Sequence, residues 1–199
     1  MAFIKLHGEV PQELQTAIRA ISWKTVGHAS YRKCKSVHFG LGTARNVRKR
    51  VYYGGASKSM PELQKLLTNF IRETAPDINY ASIIVNRYAA KESMDFHTDR
   101  NWTMQPVQLV GRFGEGCGGE LEICGKLLKT GVFLVDGNIE HRVLECESGT
   151  LYSFVTYIKQ HTLGLSLPAL PQLKRWGFQV AKVYDMFKQL VLTLLIALV

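Results

Sequence analysis

Apolar residues recur at helical spacing between Pro11 and Ser22, where Leu14, Ile18 and Ile21 share one side, and predict a short amphipathic helix. A second stripe, Leu63, Leu66, Leu67, Phe70 and Ile71, follows Ser59-Met60-Pro61-Glu62. That tetrad reads as a helix start with Ser59 as cap and Glu62 as its capping-box partner, and the helix is expected to end near Ala75-Pro76. From Ile78 to Tyr88 the pattern changes to a strand whose unbroken centre, Ile83-Ile84-Val85, predicts burial on both faces. Short strand-like runs then recur: Gln105 to Phe113, Glu120 to Cys124, Gly131 to Val135, Glu140 to Leu144 and Thr150 to Lys159. They are separated by a glycine-rich loop over Gly114 to Gly119, a turn at Gly125-Lys126, and turns at Asp136-Gly137-Asn138 and Glu147-Ser148-Gly149. This spacing predicts a mainly β fold with flanking helices (α+β), an antiparallel sandwich or jelly roll rather than βαβ units. A C-terminal helix is expected around Phe178, Val180, Ala181, Val183, Tyr184 and Phe187. No repeat or linker divides the chain. The expectation is one domain over 1–199, with a jelly-roll core at about 78–159 and a helical tail at about 170–199.

With 46% hydrophobic and 21% charged residues, composition excludes general disorder. The formal charge of +9 favours a polyanionic partner. Between Tyr31 and Arg50 lie Arg32, Lys33, Lys35, Arg45, Arg48, Lys49 and Arg50 with no acidic residue, interrupted by Val37-His38-Phe39-Gly40-Leu41-Gly42. The stretch is either a phosphate-contacting edge for DNA or RNA, or a solvated hairpin that ends in a turn at Tyr52-Tyr53-Gly54-Gly55. Four cysteines without a CxxC pair, and a start without the apolar core of a signal peptide, point to a reducing, intracellular setting. The apolar run from Leu190 to Val199 is too short for a membrane helix; it reads as the end of a packing helix, with a membrane-anchoring stub as the alternative.

The candidate chemistry lies in His97-Thr98-Asp99. Residues two apart on a strand point the same way, so an imidazole and a carboxylate can hold one ion between them. His141, beyond a glycine-rich hairpin and between two apolar runs, is the candidate third ligand. Two histidines and one carboxylate leave coordination positions open, the ligand set of non-haem Fe(II) oxygenases. An HxD pair alone is weak; the two histidines flanking strands that a jelly roll brings together make it stronger.

Asn86-x-Tyr88, eight residues, and His97-x-Asp99 resemble the signature NxYxxGxxxxxHxD of the AlkB-like branch of the Fe(II)/2-oxoglutarate-dependent dioxygenase superfamily. The resemblance continues through Gly118-Gly119-Glu120-Leu121, similar to the superfamily's GGxL hairpin, and through His141 to the segment Ser148 to Ser153, and covers about 78–157. It implies a double-stranded β-helix, Fe(II) on His97, Asp99 and His141, and 2-oxoglutarate contacted by Asn86 and Tyr88. It also implies a reaction in which 2-oxoglutarate is decarboxylated to succinate while a substrate C–H bond is oxidised, so that an N-methyl group would leave as formaldehyde. Three positions depart from the pattern. Lys91 replaces the signature glycine, Tyr157 stands where AlkB-like enzymes carry a second arginine, and Leu151 stands where the superfamily puts the arginine that pairs with the far carboxylate of 2-oxoglutarate. Restoring that charge by Leu151→Arg is expected to tighten 2-oxoglutarate binding. Arg112 stands at a spacing similar to that of the lysine of the JmjC-like branch, and either takes over the carboxylate or is a surface arginine beside the glycine-rich loop; Lys159 lies too far along its strand. The expected substrate is a nucleic acid base or modified nucleotide. A protein side chain of the prolyl-hydroxylase type, and a metal-retaining binding module without efficient turnover, are the alternatives.

Overall fold

The computed structural model describes residues 2–6, 8–26, 33–43, 51–99, 106–158 and 169–180. A short strand β1 (Phe3–Lys5) and helix α1 (Gln12–Arg19) precede β2 (Lys35–Thr43) and β3 (Val51–Tyr53). Helices α2 (Gly55–Ser59) and α3 (Pro61–Thr74) lead into β4 (Ser82–Ala89) and β5 (Met94–His97). Then come β6 (Val107–Gly118), β7 (Leu121–Ile123), β8 (Lys126–Leu128), β9 (Gly131–Asp136), β10 (His141–Val143), β11 (Cys146–Tyr157) and helix α4 (Leu170–Arg175). The strands form a seven-stranded sheet in the order β1-β9-β6-β11-β4-β2-β3 and a four-stranded sheet in the order β5-β10-β7-β8, and the named strands pair antiparallel throughout. Two facing antiparallel sheets with flanking helices make the jelly roll that the strand spacing predicts.

Alternation along the central strands divides the molecule into two cores. Ile83 and Val85 of β4, Phe154 of β11 and Leu109 of β6 point outward and pack with Leu14 and Ile18 of α1 and Leu63, Leu67 and Ile71 of α3. Each such side chain, fully buried, contributes roughly 1.5–3 kcal/mol. The opposite face turns Val110, Phe133 and Val135 toward Met94, Leu121, Ile123 and Val143 of the smaller sheet. The sheet is therefore covered on both sides, as the apolar centre of β4 predicts.

Several boundaries differ from expectation. The segment Gly114 to Gly118 is not a loop: it continues β6, because β11 lies beside it and pairs Leu151 with Gly114, Gly149 with Gly116 and Cys146 with Gly118. For the same reason Glu147-Ser148-Gly149 lies inside β11 rather than in a turn. The backbone ladder makes these glycines a strand where side-chain propensity alone would not. The next turn falls at Cys124-Gly125, and Lys126 opens β8. Ser59 does not cap α3. It ends α2 and donates its hydroxyl to the Gly55 carbonyl at 3.1 Å, while Met60 precedes α3 with no side-chain cap and Pro61 supplies the start. The run Val37 to Gly42 belongs to β2, which pairs antiparallel with β3, but it is not solvated, since Phe39 and Leu41 are buried, and Tyr52 and Tyr53, expected in a turn, are strand residues of β3. Near the C-terminus a short α4 is followed by buried, non-helical Phe178 and Val180. The rest of the expected helix, from Ala181 through Phe187, the apolar run to Val199, and Arg32, Arg45, Arg48, Lys49, Arg50 and Lys159, lie outside the described residues. Among the described residues no helix is long and apolar enough to cross a membrane.

Candidate metal centre and its cavity

His97 ends β5 and His141 opens β10, directly opposite each other in the antiparallel pair, with ring centroids 4.4 Å apart. Asp99 follows two residues after His97, its backbone N–H donating to the Gly137 carbonyl at 2.8 Å. One carboxylate oxygen, Oδ1, lies 3.8 Å from His97 Nε2, and the other, Oδ2, lies 3.7 Å from His141 Nε2. The three donor atoms fall within 4.8 Å of one another. Each separation is less than twice a metal–ligand distance of ~2.1 Å, so an ion fits between the carboxylate and either imidazole, with one ligand atom from each residue sufficing to hold it.

The hydrogen bonds on the far side of each ring select the tautomer a metal needs. His97 Nδ1 lies 2.7 Å from the Asp95 carbonyl and His141 Nδ1 lies 2.8 Å from the Ile139 carbonyl. A carbonyl can only accept, so in the neutral form of either ring Nδ1 carries the proton and Nε2 offers its lone pair to an ion. Two neutral imidazoles and one carboxylate fit Fe(II), Mn(II) or Co(II) with positions to spare. His97 and Asp99 are 27% and 20% exposed at the side chain and His141 6%, so the cluster opens to solvent on the His97–Asp99 side.

Behind the cluster runs a cavity between the sheets, and the register of the larger sheet gives its wall three zones. Nearest the cluster stand Gln108 and Tyr157. Gln108 Nε2 donates to Asp99 Oδ2 at 2.8 Å, and the Tyr157 hydroxyl meets His38 Nε2 at 2.8 Å with the two rings stacked. Next comes an apolar belt, where Val155 pairs with both Ile84 and Val110. Beyond it Ser153 pairs with Asn86 on one side and Arg112 on the other. Asn86 is bound on both flanks, accepting from Ser36 Oγ at 2.7 Å and donating to Ser153 Oγ at 3.2 Å. Tyr88, fully buried, completes this end.

Arg112 is not a surface residue. It is 3% exposed and lines the same cavity, donating Nε to the Lys129 carbonyl at 2.9 Å and Nη2 to the Gly119 carbonyl. Burial pushes its guanidinium below the usual value, while Tyr88 and Glu120 pull it back toward the charged form. Among the described residues no carboxylate forms an ion pair with it. A cation so placed is costly unless an anion joins it. Leu151, two residues from Ser153 along β11, is buried in the second core rather than among the residues lining the cavity.

The sequence thus names Asn86, Tyr88, His97, Asp99, Arg112 and His141, and all six line one cavity. It misses Gln108 and Ser153. Both were within reach of the period-2 rule, since Gln108 shares a face with Arg112 on β6, and Ser153 faces Asn86 across β4 and β11.

No family model matches the sequence, and no curated protein matches it. Solved structures do match. NgTET1 in complex with 5mC DNA superposes with a TM-score of 0.54 at 14% identity, over 80% of this chain and 72% of that one. A 2OG-Fe(II) oxygenase family oxidoreductase from Burkholderia pseudomallei gives 0.53 at 12% identity over 78% and 84%. A prolyl hydroxylase from Trichoplax adhaerens, in complex with a hypoxia inducible factor oxygen degradation domain peptide, gives 0.55 at 15% identity over 83% and 87%. The chain therefore has the double-stranded β-helix fold of the 2OG-Fe(II) oxygenases.

Proposed function

We propose that this protein is an Fe(II)- and 2-oxoglutarate-dependent dioxygenase. The observation that carries the reading is one cavity with His97, Asp99 and His141 at its open end and a buried Arg112 at its closed end. Gln108 and Arg112 face the same way four residues apart on β6, about 13 Å at ~3.3 Å per residue. The intervening Val110, with Ile84 and Val155, offers apolar contact. A ligand suited to that wall has a chelating head, a short apolar middle and an anionic tail, which is the chemistry of 2-oxoglutarate.

His97, Asp99 and His141 would hold the metal, Arg112 the far carboxylate, and Ser153, Asn86 and Tyr88 would add hydrogen bonds beside it. With both bound, Fe(II) and 2-oxoglutarate would supply oxidation of a substrate C–H bond by dioxygen, one oxygen atom going to the substrate and the other to the succinate formed as the 2-oxo acid loses CO2. The protein's own part is orientation and water exclusion. The carbonyls of Asp95 and Ile139 fix the imidazoles, and the apolar belt keeps solvent from the middle of the cavity. The substrate we assign is a nucleic acid base or modified nucleotide. It is supported by the AlkB-like spacing of Asn86, Tyr88, His97 and Asp99, by the basic stretch from Tyr31 to Arg50, and by the fold likeness to a 5mC DNA complex. The peptide-bound prolyl hydroxylase supports the competing substrate, a protein side chain.

The test is an anaerobic titration of the purified protein with Fe(II) and then 2-oxoglutarate. The parent gives the visible charge-transfer band of a chelated complex, and His97→Ala and Asp99→Ala abolish it. Arg112→Met needs about 10- to 100-fold more 2-oxoglutarate, the equivalent of a charged hydrogen-bonded pair worth ~1.5–3 kcal/mol. A parent that binds the metal but never gives the band is a metal-retaining binding module, and the enzyme reading then fails.

A further inference from the structure

We infer that Gln108 is a positioning residue that pins Asp99 as a one-oxygen metal ligand; the inference rests on the metal site proposed above. The three candidate ligands are anchored differently. Each histidine hangs from a carbonyl two residues back in its own segment, so its orientation is local. Asp99 lies beyond the end of β5, and its carboxylate is held across the cavity by an amide from the other sheet, Gln108 Nε2 to Oδ2 at 2.8 Å. Gln108 is 2% exposed, on a strand whose next cavity-facing residue is Val110 and opposite Val135 of β9. A primary amide buried among valines is costly without a partner, and the partner here is a ligand carboxylate.

The bond discriminates between the two oxygens. Oδ2, engaged by Gln108, is drawn toward the His141 side, which leaves Oδ1 on the His97 side as the oxygen free to ligate. A carboxylate without that restraint can swing to bind through both oxygens and close a position that a chelating 2-oxo acid needs. Gln108 also ties the metal end to β6, the strand that carries Arg112, so both ends of the cavity are set by one rigid element.

The experiment measures Mn(II) affinity from the loss of the free-ion electron paramagnetic resonance signal, with the Co(II) visible spectrum as a second readout. Gln108→Leu, which keeps the volume and removes the donor, weakens Mn(II) binding about 10- to 100-fold, as loss of an outer partner typically does. It also alters the Co(II) bands, which report coordination number. Gln108→Asn, which keeps the amide but withdraws it by one methylene, moves both readouts the same way and serves if the leucine variant does not fold. Phe133→Leu, a change in the same core that lines no part of the cavity, keeps Mn(II) affinity within about twofold. If His97→Ala and Asp99→Ala lose Mn(II) while both Gln108 variants bind as the parent does, the positioning role is wrong and the metal site stands. An equal loss in Phe133→Leu makes the effect a general packing one and overturns the role. If the parent binds no Mn(II), or binds it equally without His97 and Asp99, the metal site falls and the inference with it.

Discussion

Leu151 is a position where the resemblance and the packing lead to different expectations. It occupies the place of a superfamily arginine, so Leu151→Arg looks like a restoring change. In the structure Leu151 is 7% exposed, packs in the core with Tyr88 and Cys146, and lies two residues along β11 from Ser153, which is paired with Arg112. A second guanidinium there meets one that is already buried and already lines the cavity. Leu151→Arg is therefore expected to lower stability by about 3 kcal/mol or more, since it buries a charge without a partner, and to leave 2-oxoglutarate binding no tighter. Leu151→Met, which conserves volume, costs less than about 1.5 kcal/mol. Urea midpoints of the two variants, beside a 2-oxoglutarate titration, decide the point; tighter binding by the arginine variant would mean that Arg112 does not hold the carboxylate.

At the level of elements, the connection from β6 through Gly119 to β7, which crosses from the larger sheet to the smaller, links fold to site. Gly119 sits at φ +69°, a left-handed conformation, and a Cβ there would run into the Leu151 side chain. Its N–H donates to the Glu145 carbonyl at 2.9 Å and its own carbonyl accepts from Arg112. Gly119→Ala should cost about 1–3 kcal/mol from the strained backbone, and by displacing that carbonyl should weaken 2-oxoglutarate binding while leaving Mn(II) affinity unchanged. Matched metal and 2-oxoglutarate titrations separate the two effects. Element patterns also mark what the chain discloses. Ile83-Ile84-Val85 and the α3 stripe were legible because burial imposes a period. The glycine segment at Gly114 to Gly118 and the Glu147-Ser148-Gly149 stretch were not, because their strand character comes from a partner strand and not from their own side chains. The ligand set was legible through His97-x-Asp99, whereas Gln108 carried no motif and needed its neighbour across the cavity to give it meaning.

For the whole molecule, the nucleic acid substrate proposed above has to reach the His97–Asp99 side of the cavity. The chain carries a formal charge of +9, and Lys and Arg between Tyr31 and Arg50 are unrelieved by any acidic residue. Within that stretch Lys35 is engaged with the Trp23 carbonyl at 2.6 Å and exposed Lys33 with Asp95 at 3.2 Å. If the substrate is a nucleic acid, neutralising its phosphates therefore falls to Arg32 and, for four of the five remaining charges, to Arg45, Arg48, Lys49 and Arg50. Such pairing releases counterions, so affinity for single-stranded and duplex oligonucleotides should fall steeply as salt rises. Replacing those four residues by Gln together should flatten the slope of log affinity against log salt by about 0.7 for each single-strand phosphate no longer neutralised. The charge-transfer titration should stay as in the parent, because the metal and 2-oxoglutarate are assigned to His97, Asp99, His141 and Arg112. A protein with no oligonucleotide affinity at low salt, whose succinate formation is instead stimulated by proline- or lysine-bearing peptides, would be a protein hydroxylase on the same iron chemistry.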